Sequence, residues 1–397
     1  MNEILDHLRV LVGCDTRNPP RAIGHEGLFD YLRAQLHGFE FTQTDHGAGA
    51  ISLLAARGKP RLLFNVHLDT VPDSPQWSAN PFELRVREDR AIGLGACDIK
   101  GAAAALLAVA NASKGDLALL FTTDEEANDA RCVAGFLREY SLLPSGEGGP
   151  KGRMRVRLKR DAPIEPSPQP LSRGERGLHA VIVAEPTRCE AVLVHRGIAS
   201  ARVRFAACAG HASGGSALDD NALHQAVRWA SRAIEHVEAQ AHQRFGGLTG
   251  LRFNIGRLEG GIKANMIAPQ ADVLFGFRPL PSMDIDELLR AFRECAPSQP
   301  AELVETFRGS PLPAGDLDTA EAKRLVARDL ADELGLPIGN AVDFWTEAAL
   351  FSQAGYVTFV YGPGDIAQAH GADEWVALEQ LRVYARSILR IVDEGLA

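Results

Sequence analysis

The chain has 397 residues, of which 46% are hydrophobic and 23% are charged, and its formal net charge is −9. This length predicts two or three domains with a sizeable core, and the composition is that of a globular protein. A nucleic-acid-binding protein would need a basic face, so the negative charge argues against a nucleic-acid partner.

The N-terminal residues carry charges throughout and lack the apolar stretch of a secretory signal. The longest apolar run, "GAAAALLAVA" from Gly101, is too short to span a bilayer. The six cysteines are scattered, without a CxxC pair, which is typical of reduced thiols. We therefore expect a cytoplasmic protein without a membrane partner.

Apolar strand patterns and helical patterns alternate in the first half of the chain and again at its end. Strands are predicted at 61–68, 117–123, 179–186 and 356–364, and helices at 30–36, 100–112, 132–140 and 373–392. Such alternation indicates an α/β domain, in which a mixed, mainly parallel sheet lies between helices. We assign residues 1–188 and 312–397 to this domain.

The middle of the chain has a different pattern, with half-exposed strands and two amphipathic helices. Two strands are predicted around Arg196 and Gly197 within 191–210, with further strands at 251–261, 271–281 and 301–307 and helices at 221–245 and 284–295. This order predicts a small α+β domain, residues 189–311, inserted into the larger one. The strands around Arg196 are expected to offer a free edge for pairing with another chain.

Residues 145–177 fit neither domain. They are rich in Gly, Pro, Ser, Arg and Lys and contain almost no large apolar side chains. Because such a composition cannot bury a core, this segment is predicted to be a disordered, dispensable insert.

Potential metal ligands and acids follow four of the apolar strands, and one more lies in the Gly-rich turn "GLGACDIKG". The carboxyl ends of the strands in a doubly wound sheet share one edge, where ligands bind. Two histidines and several carboxylates converging there would form a metal-binding set. The residues are His67, Asp69, Asp98, Glu125, Glu126, Glu185 and His370.

The spacing of these residues suggests separate roles. His67 and Asp69 are two apart in an extended segment, so the carboxylate can accept the second ring N–H of a ligating histidine. Glu125 and Glu126 are adjacent, so one can bind metal while the other acts as a base. Each residue alone has an ordinary alternative: the acidic run can be a solvated turn, Asp98 a helix cap, and Glu185 a turn residue.

Seven motifs together resemble the acetylornithine deacetylase and succinyl-diaminopimelate desuccinylase family of zinc amidohydrolases. They are "HLDTVP", "GLGACDIKGAAAA", "TTDEE", "AEPT", "GHAS", "ANMIAP" and "YGPGDIAQAH", in that order. A closer match within these enzymes is carried by "DTRNPPRAI", "TDEEAND", "FGGLTGLRFNIGR" and "GNAVDFWTEA". The resemblance covers nearly the whole chain except 145–177.

The resemblance implies a role for each candidate residue. His67, Asp98 and Glu185 would hold one zinc ion, and Asp98, Glu126 and His370 a second, so that one or two ions bind per subunit and Co²⁺ can substitute. Asp69 would orient His67, and Glu125 would be the general base and then acid. His211 would polarise the substrate carbonyl, and Asn265 and Arg278 would hold its carboxylate.

The resemblance also implies a homodimer formed through the inserted domain, which would act as a dimerisation and lid domain, with His211 completing the partner's site. The expected reaction is hydrolysis of the N-acetyl amide of an N-acetyl amino acid in arginine biosynthesis. Acetylcitrulline is the favoured substrate, with acetylornithine or a dipeptide as alternatives. A non-catalytic metal-binding protein is disfavoured, because it would not need Glu125.

Two positions depart from the family pattern. Ala184 stands where glycine commonly precedes the "EPT" glutamate, and Thr346-Glu347-Ala348 replaces a Thr-Asp-Ala segment. The second change affects how the substrate side chain would be recognised. His195, His224 and His236 lie on strand or helix patterns and are interpreted as structural.

Overall fold

The computed structural model describes residues 1–21, 23–127, 129–140, 177–214, 217–297 and 302–395. Within these ranges the helices are α1 (Asn2–Gly13), α2 (Leu28–Gln35), α3 (Gly101–Ala112), α4 (Arg131–Tyr140), α5 (Ala222–Ala239), α6 (Ile285–Glu294), α7 (Leu317–Glu333), α8 (Ala348–Gln353) and α9 (Leu378–Glu394). Two short helical turns, Ala96–Lys100 and Ile366–Gln368, complete this set.

The strands of the described ranges form one large sheet, one four-stranded sheet and three small ribbons or sheets. They are β1 (Glu40–Asp45), β2 (Ile51–Arg57), β3 (Leu62–His67), β4 (Arg85–Arg87), β5 (Arg90–Ile92), β6 (Leu117–Thr122), β7 (Ala180–Val183), β8 (Ile198–Ala206), β9 (Gly210–His211), β10 (Arg244–Phe245), β11 (Leu248–Thr249), β12 (Arg252–Gly260), β13 (Met266–Ile267), β14 (Gln270–Arg278), β15 (Glu302–Gly309), β16 (Val357–Val360) and β17 (Trp375–Ala377).

The large sheet has the strand order β1-β2-β6-β3-β7-β16. Strands β6, β3, β7 and β16 run parallel to one another, whereas β2 is antiparallel to β6 and to β1. Every residue of β3, β6 and β7 is buried, as expected for strands covered on both faces. The predicted mixed, mainly parallel sheet is therefore confirmed.

Two apolar clusters cover the two faces of this sheet. On β3, Phe64 and Val66 belong to one cluster, which includes the buried faces of α1, α3 and α9. Leu63 points to the opposite face and belongs to the other, together with Phe136 of α4 and Phe351 of α8. This division follows from the alternation of side chains along a strand.

The four-stranded sheet has its own core. Its order is β12-β14-β8-β15, and all three pairings are antiparallel. Helices α5 and α6 pack on it through a cluster that includes Trp229, Phe275 and Phe292. The Trp229 Nε1–H donates to the Phe292 carbonyl at 2.7 Å and joins the two helices. The inserted domain with boundaries 189 and 311, and its function as a lid, remain predictions.

Two of the predicted elements are wrong. Residues 191–195 form only isolated bridges to the larger domain instead of a strand beside β8. Strand β8 pairs on both sides, with β14 and β15, so the edges of its sheet are β12 and β15 instead. At the C-terminus, residues Trp375–Ala377 form β17, and the predicted long helix begins only at Leu378.

The two chain segments that connect the sheets meet at His195. Its backbone N–H donates to the Leu312 carbonyl at 3.0 Å, and the Leu312 N–H donates back at 3.1 Å. The imidazole is fully buried between the Arg196 carbonyl, 2.8 Å from Nδ1, and the Thr346 hydroxyl, 3.1 Å from Nε2. His195 therefore has a structural position, as the sequence predicted.

The predicted insert, 145–177, lies outside the described residues except for its last residue. No helix in the described part of the chain is long and apolar enough to cross a membrane. The six cysteines are all free, as expected.

We predict that His195 makes folding sensitive to mild acid. Burial lowers its pKa from 6.5 to about 4. The folded state therefore resists protonation that the unfolded state accepts, so this stability is complete above pH 6.5 and is lost as pH falls toward 4. The free energy of unfolding should fall by about 2 kcal/mol more between pH 7 and pH 5 in the native protein than in His195→Asn.

Urea unfolding of chelator-treated protein at both pH values measures this difference. The matched control is His37→Asn, which changes an exposed histidine and should leave the pH dependence intact. An equal pH dependence in His195→Asn and the native protein would show that His195 does not resist protonation.

Candidate metal centre

The ends of four parallel strands position the candidate site. His67 is the last residue of β3, Glu125 and Glu126 follow β6, and Glu185 follows β7. His370 follows β16 after a loop and the turn Ile366–Gln368. Because β3, β6, β7 and β16 are parallel, these ends share one edge of the sheet, as the sequence predicted.

Five of these side chains form two triads that share Asp98. In the first, His67 Nε2 lies 3.1 Å from Asp98 Oδ1 and 3.8 Å from Glu185 Oε1. In the second, His370 Nε2 lies 3.1 Å from both Asp98 Oδ2 and Glu126 Oε1. The potential ligand atoms of each triad all lie within 4.8 Å of one another. Asp98 offers one oxygen to each triad.

A buried carboxylate holds the turn that carries Asp98. Glu374 Oε1 accepts the N–H groups of Cys97, at 2.9 Å, and Asp98, at 3.0 Å, while Oε2 accepts that of Gly95 at 3.2 Å. Gly95 has a φ of 77°, a left-handed conformation that favours glycine. Three hydrogen bonds donated to one carboxylate thus fix the backbone beside the shared ligand.

Asp69 connects His67 to two further segments. The His67 Nδ1 lies 3.0 Å from the main-chain oxygen of Asp69 and 3.5 Å from its Oδ1. The Nδ1–H group can therefore donate a hydrogen bond mainly to the carbonyl. The lone pair of Nε2 is then directed toward the first triad, where it can bind a metal ion. The carboxylate Oδ2 accepts hydrogen bonds from Asn18 Nδ2 and the Glu126 N–H, both at 3.0 Å.

Glu125 lies beside the triads without joining either one. With His67 and Glu126 it forms a third group of possible metal ligands, whose ligand atoms lie within 4.8 Å of one another. It has no hydrogen-bond partner among the described residues. Burial, and secondarily the negative charge of Glu126 against the positive charge of His67, raises the Glu125 pKa well above its usual 4.5. A buried carboxylate whose pKa is raised in this way is suited to accept a proton and pass it on.

The site concentrates negative charge in a buried space. Burial and the charge of Asp98 raise the pKa of Glu185 well above 4.5, and burial also raises that of Glu126. Hydrogen bonds to Asp98 and Glu126 raise the pKa of His370 to about 11. Buried charges of one sign are costly unless they are paired or bind metal. This set of imidazole and carboxylate donors fits one or two divalent cations.

The loop after β7 packs directly against the "YGPG" segment. The Gly362 N–H donates to the Thr187 hydroxyl at 3.0 Å. A Cβ at position 362 would lie 2.4 Å from the Glu185 carbonyl oxygen, so only glycine allows this approach. The Glu185 backbone is thereby fixed from its C-terminal side, while Ala184, in place of the family's glycine, is fully buried.

Glu347, the second departure from the family pattern, points into the protein interior. Its Oε2 accepts hydrogen bonds from Asn65 Nδ2 at 2.9 Å and the Thr122 hydroxyl at 3.0 Å. Burial and the charge of Asp124 raise its pKa to about 8. These hydrogen bonds connect Glu347, which directly precedes helix α8, to strands β3 and β6.

Three predicted site residues lie on the four-stranded sheet or in and beside the β9–β13 ribbon. His211 and Met266 are paired in the β9–β13 ribbon, and the Asn265 carbonyl accepts the Ala212 N–H at 3.0 Å. His211 and Asn265 are exposed, and their described contacts do not include the triads. Arg278, at the end of β14, is half-buried; burial lowers its pKa, and the negative charges of Glu125 and Asp343 partly offset that effect.

Comparison with known proteins agrees with this geometry. The model of Peptidase family M20/M25/M40 matches residues 63–394. The chain belongs to this family. A metallo-carboxypeptidase of the M20 family from Sulfolobus solfataricus has the same fold, with a TM-score of 0.70 over the whole of both chains at 14% identity.

Relatives with deacetylase names are also similar to this M20 protein. It is 60% identical to the N-acetyl-L-citrulline deacetylase of Xanthomonas campestris pv. campestris, over 98% of this chain and 97% of the relative. It is 28% identical to an acetylornithine deacetylase of Vibrio vulnificus, over 89% and 86% of the two chains. The prediction of an enzyme of this amidohydrolase group is confirmed.

Sequence reasoning missed the supporting roles of three residues in this M20 site. Glu374 holds the Asp98 turn, Asn18 bonds Asp69, and Glu347 lies beneath the strand ends. Only Glu347 gave a signal, as a departure from the family pattern. In the sequence, Glu374 looks like an ordinary acid in a charged loop. Its three hydrogen-bond donors are backbone N–H groups, which no residue pattern reveals.

We predict that Glu374 maintains metal affinity without touching the metal. Glu374→Ala should lower the affinity roughly 10- to 100-fold, because the support of the Asp98 turn is lost. Competition with a chromophoric chelator measures this affinity. Glu379→Ala removes an exposed glutamate five residues later and should not change it. Unchanged affinity in a folded Glu374→Ala protein would contradict this role.

Proposed function

We propose that this enzyme hydrolyses the N-acetyl amide of an N-acetyl amino acid, with N-acetyl-L-citrulline as the substrate and L-citrulline and acetate as the products. The observation that carries the proposal is the pair of triads sharing Asp98, with Glu125 outside both of them and close to His67 and Glu126. The 60% identity to an N-acetyl-L-citrulline deacetylase supports the choice of substrate. The reaction would belong to arginine biosynthesis in the cytoplasm.

Acetylornithine is the alternative substrate, supported by the acetylornithine deacetylases that are 26–28% identical to the chain. A dipeptidase or carboxypeptidase activity is a second alternative within the family. The choice between acetylcitrulline and acetylornithine is a choice between a neutral ureido group and an ammonium group.

We propose Zn²⁺ as the resident metal, with one or two ions per subunit and Co²⁺ able to substitute. His67, Asp98 and Glu185 would hold one ion, and Asp98, Glu126 and His370 the other. When bound, the metal would polarise the amide carbonyl and activate water.

The remaining residues would handle protons and position the substrate. Glu125 would take a proton from the attacking water and pass it to the departing amine, for which its raised pKa is suited. Asp69 would fix the orientation of His67. His211 would donate a hydrogen bond to the developing oxyanion. Arg278, with Asn265, would bind the α-carboxylate through its planar guanidinium.

A homodimer formed through the second sheet would complete this arrangement. Strand β12 is a nine-residue edge strand, and Leu258 on it and Ile262 just beyond it expose 40% and 68% of their surface. Long exposed edges commonly pair with another chain. The neighbouring helix α5 exposes Val227 and Ile234. Pairing at this edge would provide a partner whose His211 could reach the site.

We predict that purified enzyme has a larger kcat/KM for acetylcitrulline than for acetylornithine, and that chelation abolishes both activities. Glu125→Gln should retain bound metal but lose roughly 10²- to 10⁴-fold in kcat, because proton transfer is lost. Parallel steady-state kinetics and metal analysis test this. A preference for acetylornithine would reject the substrate, and near-native kcat in Glu125→Gln would reject the mechanism.

We predict that His211 acts across the dimer. Glu125→Gln and His211→Ala should each be inactive alone and regain activity when their subunits are exchanged. A mixed dimer contains one site with both native residues, and random pairing makes about half the dimers mixed, so recovery should approach roughly a quarter of native activity.

Subunit exchange is monitored independently with fluorescently labelled chains. A mixture of Glu125→Gln with a second inactive Glu125 variant, Glu125→Ala, is the control, because every site then lacks Glu125. Confirmed exchange without any recovery would show that His211 serves its own subunit.

A further inference from the structure

We propose that Arg252 is a specificity-determining residue, which disfavours substrates with a cationic side chain and admits those with a neutral carbamoyl group. This inference rests on the proposed deacetylase function and assigns a basis for its choice between citrulline and ornithine derivatives. Arg252 begins strand β12 and lies outside both metal triads.

The first observation is a pair of arginines facing each other across two strands. In the antiparallel register, Arg252 of β12 lies directly opposite Arg278 of β14. Like charges at directly opposite positions destabilise a sheet. Such a pair is expected where a ligand with negative charge or hydrogen-bond acceptors uses both groups.

The second observation is the cavity that these arginines line. It has a volume of about 580 Å³, and its walls also include Asp343, Phe344 and Ile366. Ile366 lies four residues before His370, and the charge of Glu125 acts on the Arg278 guanidinium. The cavity therefore borders the segment that leads to the ligand His370, and it is large enough for an acetylated amino acid.

The charges around the cavity are unequal. The Asp343 carboxylate accepts a hydrogen bond from Nε of the buried Arg196, and it lies 3.7 Å from Arg252 Nε. Asp343 is thus shared by the guanidinium groups of Arg196 and Arg252, which leaves it unable to balance both charges. A substrate carboxylate on Arg278 would neutralise one further charge and leave an excess positive charge at Arg252.

The geometry separates the tasks of the two arginines. The α-carboxylate of the substrate is attached next to the scissile amide, so it would bind near Glu125, whose charge is close enough to affect the pKa of Arg278. Arg252 lies on the neighbouring strand β12, directly opposite Arg278. Residues directly opposite each other on antiparallel strands have Cβ atoms about 5 Å apart. Three methylene groups can cross this distance, so the end of the substrate side chain would reach Arg252.

The chemistry then discriminates between the two side chains. A carbamoyl oxygen accepts a hydrogen bond from a guanidinium N–H without adding charge. An ammonium group offers only donors, and its charge is repelled by the arginine. For charges about 6 Å apart, this repulsion corresponds to roughly 3- to 100-fold in relative rate, depending on the effective dielectric.

The experiment compares kcat/KM for acetylcitrulline and acetylornithine in Arg252→Gln and Arg252→Glu. We expect the ratio to shift toward acetylornithine by roughly 3- to 100-fold in Arg252→Gln and further in Arg252→Glu. The shift should shrink in 1 M salt, where charges are screened within about 3 Å. A merely structural role would not produce this salt dependence.

Arg328→Glu is the matched control. Arg328 Nε lies 3.8 Å from Asp332, and the two side chains are 55% and 58% exposed. The corresponding values for Arg252 and Asp343 are 3.7 Å, 58% and 60%. Arg328 lies on α7, which contributes no residue to the triads or the cavity walls named above. Its variant should leave the substrate ratio unchanged.

Two results would overturn the assignment of Arg252. Equal losses for both substrates would mean that Arg252 binds their common carboxylate or stabilises the fold, and an unchanged ratio would mean that it does not face the side chain. The activity of the native enzyme on the two substrates tests the proposed function separately. If it hydrolyses neither substrate, that function fails and this inference fails with it.

Discussion

The candidate site depends on one carboxylate, that of Asp98, being shared between two clusters of ligands. Its two oxygens lie 3.1 Å from His67 Nε2 and from His370 Nε2. This arrangement brings together residues separated by about three hundred positions in the chain. It also accumulates negative charge that burial alone would disfavour, so the stability of the site is linked to the binding of cations.

The backbone around Asp98 is correspondingly restrained. The Glu374 carboxylate accepts hydrogen bonds from three main-chain N–H groups of the turn. The helix α3 that follows the turn is almost completely buried. A carboxylate that bonds only to amides gives directional support without competing as a ligand. The protein thus uses one glutamate to position an aspartate, instead of placing another ligand in the centre.

Much of this arrangement could be predicted from the sequence, because parallel strands impose a common edge. An apolar strand that ends in His67, or in Glu125 and Glu126, indicates both the sheet and the side of the sheet on which the site lies. The environment of Asp98 could not be predicted, because the Glu374 contacts are to backbone atoms, which leave no residue pattern. The strand expected at 191–195 was wrong, because its apolar residues are buried by the larger domain through isolated bridges. The contribution proposed for His211 would depend on a second chain, whose position a single sequence does not specify.

The loop after β16 carries both His370 and Glu374, four residues apart. The His370 side chain belongs to the second triad, and the Glu374 side chain supports the turn of Asp98, the ligand common to both triads. A displacement of this loop therefore changes the two triads together. If cations occupy both triads, their affinities would be thermodynamically linked through this loop, and by reciprocity each would influence the other to the same extent.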